Sequence, residues 1–199
     1  MPDYSYEKLY TEKGYGIVAG VDEAGRGPLA GDVYAAAVIL PPGTVLEGLD
    51  DSKKLSEKKR LILRDKIQRL AVSFAVGTAS VEEIDTLNIL RASQLAMNRA
   101  IERLDPKPGI CLVDGNTVKY IDFTAEPIIK GDGLSMSIAA ASVLAKTYRD
   151  DYMRALHLAM PRYGFDRHKG YGTKAHYEAI RLYGASNVHR KDFLKKMGL

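Results

Sequence analysis

Two adjacent carboxylates, Asp22 and Glu23, close the apolar run Ile17-Val18-Ala19-Gly20-Val21 and are followed at once by Gly25-Arg26-Gly27-Pro28. Ionised carboxylates are rarely buried unless they are paired or hold a metal. Glycines beside them let backbone amides approach a ligand closely. Two further acids stand in comparable places, in Asp114-Gly115-Asn116 after Ile110-Cys111-Leu112-Val113, and in Gly131-Asp132-Gly133 after Pro127-Ile128-Ile129-Lys130. If these strand ends meet at one sheet edge, four carboxylates repel one another and need cations to neutralise them. Oxygen ligands without Cys or His suit magnesium or manganese. Two such ions about 3.5–4 Å apart serve in-line phosphodiester chemistry.

Each acid also has a plainer reading. A strand-end Asp followed by Gly is a common turn, and Asp-Glu pairs are common on surfaces. Asp50, Asp51, Asp150 and Asp151 are rivals, the first two in a polar loop and the others on a helix beside Arg149 and Arg154, where solvent or salt bridges account for them. No Gly-Lys-Ser/Thr follows the glycine turn, and Gly-x-Ser-x-Gly, His-Glu-x-x-His and EF-hand spacings are absent, which removes most support for other hydrolase and zinc chemistries.

The elements that must position these residues follow from periodicity. Strands are expected over residues 16–21 and 32–40, antiparallel across a short Gly-Pro connection, and over 72–78, 110–113 and 127–130. Ser56 reads as the N-cap of a helix over 57–70 whose apolar face is Leu61, Ile62, Ile67 and Leu70. Ser80 caps one long helix carrying Ile84, Leu87, Leu90, Leu95, Met97, Ile101 and Leu104, stopped by Asp105-Pro106. Another helix of some 20 residues begins near Ser135 or Ser137 and ends about Met160, its run Ala139-Ala140-Ala141-Ser142 permitting close packing on a sheet. Beyond Pro161 come Gly-rich loops and a helix over 174–183. The pattern is α/β: a mixed sheet with helices on its faces and a small C-terminal helical lobe. Residues 1–160 form the core, and 161–199 a basic region packed on it as one structural unit.

The 199 residues suffice for one well-buried core, and 46% apolar with 27% charged residues is an ordinary globular composition. The first residues lack basic and apolar leader regions, and no membrane-length apolar run occurs, so a cytoplasmic protein is expected. The single Cys111 lies in an apolar run and reads as a buried structural thiol. Residues 161–199 hold nine Lys or Arg against three Asp or Glu, a net of +6 within a chain of net +4, and all four histidines lie in the last quarter. That asymmetry favours a nucleic acid partner, although a solvated helical surface would look the same.

At this point Asp22-Glu23-Ala24-Gly25-Arg26-Gly27-Pro28-Leu29-Ala30-Gly31 resembles the first signature of bacterial ribonuclease HII. Asp51-Ser52-Lys53-Lys54-Leu55, Val113-Asp114-Gly115-Asn116, Lys130-Gly131-Asp132, the segment from Ser137 to Lys146, and His168-Lys169-Gly170-Tyr171-Gly172-Thr173 resemble its later blocks in order. The related ribonuclease HIII typically carries an extra N-terminal domain and a different residue where Arg26 stands. The resemblance implies a ribonuclease H-like fold, cleavage of RNA in RNA–DNA hybrids, and incision 5′ of a single ribonucleotide in duplex DNA that leaves 3′-hydroxyl and 5′-phosphate ends. It implies that Asp22, Glu23, Asp114 and Asp132 hold two ions, Mn2+ or Mg2+. Gly25, Arg26 and Gly27 would grip the 2′-hydroxyl and phosphate at the ribonucleotide-to-DNA junction, and Tyr171 would stack on the following deoxyribose. Only a 2′-hydroxyl contact separates RNA from DNA at one position. Lys53, Lys146 and Lys169 are expected phosphate contacts.

His168 is expected to make a structural hydrogen bond, and the tyrosines of residues 1–14 to pack on the surface. A monomer is expected. Another nuclease of the same fold, of the junction-resolvase kind, leaves the Gly-Arg-Gly and Tyr171 pairing without a purpose. A catalytically silent nucleic-acid binder would need a broken acid set.

Overall fold

The structure, a computed structural model, describes residues 2–50, 52, 55–195 and 198. The first helix is α1 (Ser5–Tyr10), and β1 (Val18–Ala24) and β2 (Val33–Ile39) form the antiparallel pair expected from their short connection. Helix α2 (Glu57–Leu70) starts where expected, with the Ser56 side chain accepting from the Lys59 amide. Its covered face differs from the expected one: Leu63 and Ile67, one turn apart, are buried, whereas Leu61, Ile62 and Leu70 are exposed. Periodicity finds apolar positions, but only the neighbouring layer decides which stripe is covered.

Strand β3 (Ser73–Ala79) follows, and the single long helix expected next is two helices, α3 (Val81–Leu87) and α4 (Ile89–Glu102). The break is Asn88, at φ +73°, where Asn tolerates a left-handed backbone and its Oδ1 accepts from the Leu90 and Arg91 amides to start α4. Ser80 and Glu83 form a reciprocal capping box on α3. Strands β4 (Ile110–Asp114) and β5 (Ala125–Ile128) complete the sheet, followed by α5 (Met136–Ala159), α6 (Phe165–His168), α7 (Lys174–Tyr183) and α8 (Lys191–Lys195).

Sheet order is β3-β2-β1-β4-β5, with β1, β4 and β5 mutually parallel and β2 and β3 antiparallel to their neighbours. Period-2 alternation divides the sheet into two packed faces. Val33, Ala35, Ala37 and Ile39 meet α4 residues such as Ala96, Met97 and Ile101, while Ala36 and Val38 meet α2 and α5 through Ile67, Ala140 and Leu144. Gly20 lets α5 lie directly on β1, since a Cβ there would stand 2.1 Å from the Ser137 carbonyl carbon.

Residues 1–14 do more than cover surface. The buried Glu7 carboxylate accepts from the Ser135 hydroxyl (2.6 Å) and the Ser137 amide (2.8 Å), and so closes the N-terminus of α5. The C-terminal segment packs on α5 through Met153, Tyr163, Phe165 and Ala179. Cys111 is fully buried, and burial pushes its thiol up to about 12, the inert behaviour expected. Among the described residues, no helix is long and apolar enough to cross a membrane.

Candidate active site

Because β1 and β4 run parallel with Val21 opposite Val113, Asp22 and Asp114 leave neighbouring strands at the same edge. Asp132 arrives differently from the expectation. β5 ends at Ile128, and Asp132 sits in the 3-10 turn Gly131–Gly133 that leads into α5. The Asp114 carboxylate reaches across to accept from the Gly131 amide at 2.7 Å and the Asp132 amide at 3.4 Å. One carboxylate oxygen from each of Asp22, Asp114 and Asp132 lies within 4.8 Å of the other two.

The electrostatics of this edge are unfavourable for bare carboxylates. Burial pushes the Asp22 carboxyl well above the usual carboxylate range, and the charges of Glu23 and Asp114 push it further. The Ser142 hydroxyl and the Glu23 amide, the latter at 2.7 Å, work the other way. Glu23 stands outside the group of three, with its Oε1 3.3 Å from an Arg26 guanidinium nitrogen. Oxygen donors repelling one another, two of them buried and one half-buried, are what a hard divalent cation fits.

One face of α5 supplies the floor. Ser142, Lys146 and Arg149 follow one another at four and three residues, so they share a helix face. Lys146 is 2.5 Å from Asp150, which also faces Arg60 at 3.8 Å. Burial lowers the Lys146 pKa, and Asp150 opposes that shift. Arg60 in turn donates to the carbonyls of Ser52 (3.0 Å) and Leu55 (2.5 Å), which ties the polar loop to the site. Lys53, an expected phosphate contact, lies outside the described residues, as does Asp51. Asp151 is salt-bridged to Arg64 and Arg154 at 2.6 and 2.7 Å, so that rival acid has a structural role.

The glycine turn is built by two buried arginines that periodicity does not reveal. Arg190 donates to the carbonyls of Gly25 (2.6 Å), Arg26 (3.0 Å), Pro28 (2.8 Å) and Gly31 (2.6 Å). Arg149 donates to Ala30 (3.1 Å), Asp32 (3.1 Å) and Lys169 (3.0 Å). Burial holds both guanidinium pKa values below their ordinary range. Gly25 is required twice over: its φ is +100°, and a Cβ would stand 2.0 Å from Arg149 Nε. Arg190 sits in a tail whose composition reads as solvated basic surface. Its neighbour Arg149 was visible only as a helix cation.

Tyr171 is 46% exposed and approaches the turn, its ring carbon 3.5 Å from where a Gly27 Cβ would stand. Lys169 lies alongside at φ +51°, and its ammonium donates to the Asp166 carbonyl. His168 accepts from the Gly170 amide (3.2 Å) and lies 2.7 Å from the Tyr163 carbonyl, which is the structural hydrogen bonding expected of it. A cavity of about 270 Å³ is walled by Asp22, Glu23, the Gly25–Arg26–Gly27 turn, Ser142, Lys146 and Tyr171. A larger cavity of about 740 Å³ opens beside α1, between Tyr4, Ile17, Leu40 and Val72. The only metal-ligand set among the described residues lies elsewhere, at the acid edge. Chemistry rather than volume therefore locates the candidate site.

Comparison with known proteins gives the family and the fold. The family described as Ribonuclease HII matches residues 19–196. The ribonuclease HII of Nitrosomonas europaea is 57% identical over 183 residues, covering 92% of this chain and 84% of that protein. That of Dechloromonas aromatica is 57% identical over 178 residues, covering 89% and 91%. Among solved structures, the ribonuclease HII in the complex with PCNA from Archaeoglobus fulgidus superposes with a TM-score of 0.73 at 24% identity, covering 87% of this chain and 93% of that one. Bst-RNase HIII in complex with Mn2+ gives 0.67 at 21% identity, covering 84% and 63%. The fold is thus that of these ribonuclease HII and HIII structures, and on sequence the chain belongs to the ribonuclease HII family.

Proposed function

We propose that the chain is a divalent-metal-dependent endoribonuclease that hydrolyses the RNA strand of RNA–DNA hybrids and incises 5′ of a single ribonucleotide embedded in duplex DNA, leaving 3′-hydroxyl and 5′-phosphate ends. Family membership supports the ribonuclease H activity. The finer reading is carried by one observation: Asp22 and Glu23 share a single cavity with the Gly25–Arg26–Gly27 turn and Tyr171. Residues that could distinguish a ribose and residues that could hold metal therefore face the same few ångströms of substrate. A junction-resolvase reading leaves that pairing unexplained.

In this reading Asp22, Glu23, Asp114 and Asp132 hold the cations, and residues 161–199 form one unit with the core. When bound, two Mg2+ or Mn2+ ions supply acidity to the attacking water and offset charge on the leaving oxygen. The all-oxygen donor set accepts either ion, and the Mn2+ complex of Bst-RNase HIII supports divalent metal use. Gly25 and Gly27 bring backbone to the 2′-hydroxyl, and Arg26, beside Glu23, offers charge to the phosphate. The exposed Tyr171 ring stacks on the following sugar and leaves no room for a second 2′-hydroxyl. Lys146 contacts phosphate from its tether on Asp150, and Lys53 and Lys169 extend that contact along the strand.

The decisive experiment maps the cut on a duplex with one ribonucleotide, with each metal in turn. Cleavage is expected on its 5′ side, and Asp22→Asn is expected to remove cleavage while substrate binding persists. Near wild-type cutting by that variant would remove the metal-site assignment. Equal cutting of branched all-DNA substrates would favour a resolvase, and metal-independent binding without product a silent binder.

A further inference from the structure

The recognition cavity has two walls, and both hang from one short C-terminal segment. Residues 188–190 pair with the chain after the glycine turn: the Gly31 amide donates to the Val188 carbonyl and the Arg190 amide to the Leu29 carbonyl, each at 2.8 Å. From there Arg190 reaches the carbonyls of Gly25, Arg26 and Pro28. Its neighbour His189 turns the other way, with Nε2 3.1 Å from Nε2 of His176. The Nδ1 of His176 lies 2.9 Å from the Tyr171 carbonyl.

The protons on this chain of rings are determined by a backbone donor at one end and a backbone acceptor at the other. The Ser186 amide donates to His189 Nδ1 at 3.0 Å, so that nitrogen is an acceptor and Nε2 carries the hydrogen. His189 Nε2 then donates to His176 Nε2, and His176 Nδ1–H donates to the Tyr171 carbonyl. A second proton on either ring would set N–H against N–H. His176 and His189 are 0% and 2% exposed, and burial pushes both down to about 4, consistent with a neutral pair. His176 is further fixed by stacking on His168, centroids 4.4 Å apart, and by the edge of Phe165.

The Tyr171 ring itself is half exposed, and its backbone is what these hydrogen bonds hold. The Tyr171 amide donates to His168 and its carbonyl also accepts from Thr173, both at 2.9 Å. We propose that His176 and His189 are positioning residues: a neutral, single-tautomer pair that sets the separation of Tyr171 from the Gly25–Arg26–Gly27 turn, and thereby how strictly the enzyme demands a deoxyribose after the ribonucleotide. This inference rests on the reading of Tyr171 given above. His189 and Arg190 act as one gauge, each setting one wall.

The test compares His189→Leu, His189→Gln and Tyr171→Ala on two substrates, a duplex with one ribonucleotide and a continuous RNA–DNA hybrid. Gln retains a donor at the ε position, whereas Leu does not. The ratio of the two cleavage rates is expected to fall roughly tenfold in His189→Leu, the worth of about one buried hydrogen bond, and to recover in His189→Gln. Equal loss on both substrates would mark a merely structural role and overturn the inference. So would an unchanged ratio in His189→Leu beside a lowered one in Tyr171→Ala. If Tyr171→Ala itself leaves the ratio unchanged, the reading of Tyr171 fails and the selectivity role falls with it. Nitrogen NMR of the wild-type rings is independent of activity and of whether Leu folds. It is expected to show Nδ1–H on His176 and Nε2–H on His189 at pH 6, and the opposite tautomers or charged rings would overturn the pair.

Discussion

The acid edge and the clamped glycine turn lie side by side, yet they are built on opposite principles. At the acid edge, oxygens of Asp22, Asp114 and Asp132 crowd within 4.8 Å, and burial and like charge push Asp22 up. At the turn, nearly the reverse holds: the cations Arg149 and Arg190 are buried, but their donors meet backbone carbonyls that need donors. Bare carboxylates that repel store unfavourable energy that a metal relieves, whereas satisfied carbonyls fix geometry. On the proposed reading, the chain thus destabilises the place where chemistry is to occur and over-determines the place where the substrate is to be measured.

The sharpest way to break this contrast is Arg190→Leu. It would leave the carbonyls of Gly25, Arg26, Pro28 and Gly31 without their guanidinium donor in a buried setting. Unpaired buried polar groups cost about 1–3 kcal/mol each when they cannot relax. A loss of about 3–5 kcal/mol is expected by urea unfolding, and a loss below about 1 kcal/mol would show that the clamp is not holding the turn. Arg190→Lys should recover only part, since an ammonium has three donors and no planar fork.

Acid titration probes the same lobe with a smaller effect. His176 and His189 titrate near 6.5 when unfolded and are pushed down to about 4 in the fold. Their contribution is therefore present above pH 6.5 and is lost as pH falls from 6.5 toward 4, because the unfolded chain takes up protons that the folded one refuses. Each can steepen the fall by up to about 1.4 kcal/mol per pH unit. Denaturant unfolding at pH 7, 6 and 5 should show a shallower slope in His189→Gln. Equal slopes in the two proteins would contradict the neutral pair.

How much of this was legible follows the range of the forces involved. Caps and turns act locally, so Ser56 marked the start of α2 and the bounds of α7 were readable. The parallel ends of β1 and β4 carried their acids where the apolar runs stopped. The division between α3 and α4 was hidden because apolar positions continue across Asn88, although a lone Asn in such a run was the available signal. Glu7, Arg149 and Arg190 were not legible: each is a charged residue buried by partners more than 100 positions away, and no periodicity records such a partner. The polar frame of the candidate site lives in tertiary structure, while Asp22, Glu23 and Asp114 stand where apolar strand runs end.

Returning to the acid edge, Asp22→Asn should have the opposite sign to Arg190→Leu when metal is absent. Because burial and the charges of Glu23 and Asp114 raise the Asp22 carboxyl, its ionisation costs stability as pH rises through and above 3.8. In EDTA near neutral pH the variant is expected to melt above the wild type, by about 2–4 °C for each kcal/mol of repulsion relieved. Mg2+ or Mn2+ should then raise the wild type more than the variant. A variant that melts lower in EDTA and gains as much from metal would mean that the acids are not a strained cation site.

The smallest stability change is expected where the two regions touch, at Arg26. Its guanidinium lies 3.3 Å from Glu23, but the Arg26 side chain is 48% exposed, so solvent screens the pair. Exposed pairs contribute about 0–1 kcal/mol. Arg26→Ala should therefore unfold within about 0.5 kcal/mol of the wild type, while its affinity for a ribonucleotide-bearing duplex falls and loses part of its salt dependence. The turn's shape does not depend on that side chain, because Arg190 holds its carbonyls from the other side. If Arg26→Ala instead unfolded as readily as Arg190→Leu, the turn would be held by its own side chain. The separation between a strained edge and a clamped frame would then fail at the residue that joins them.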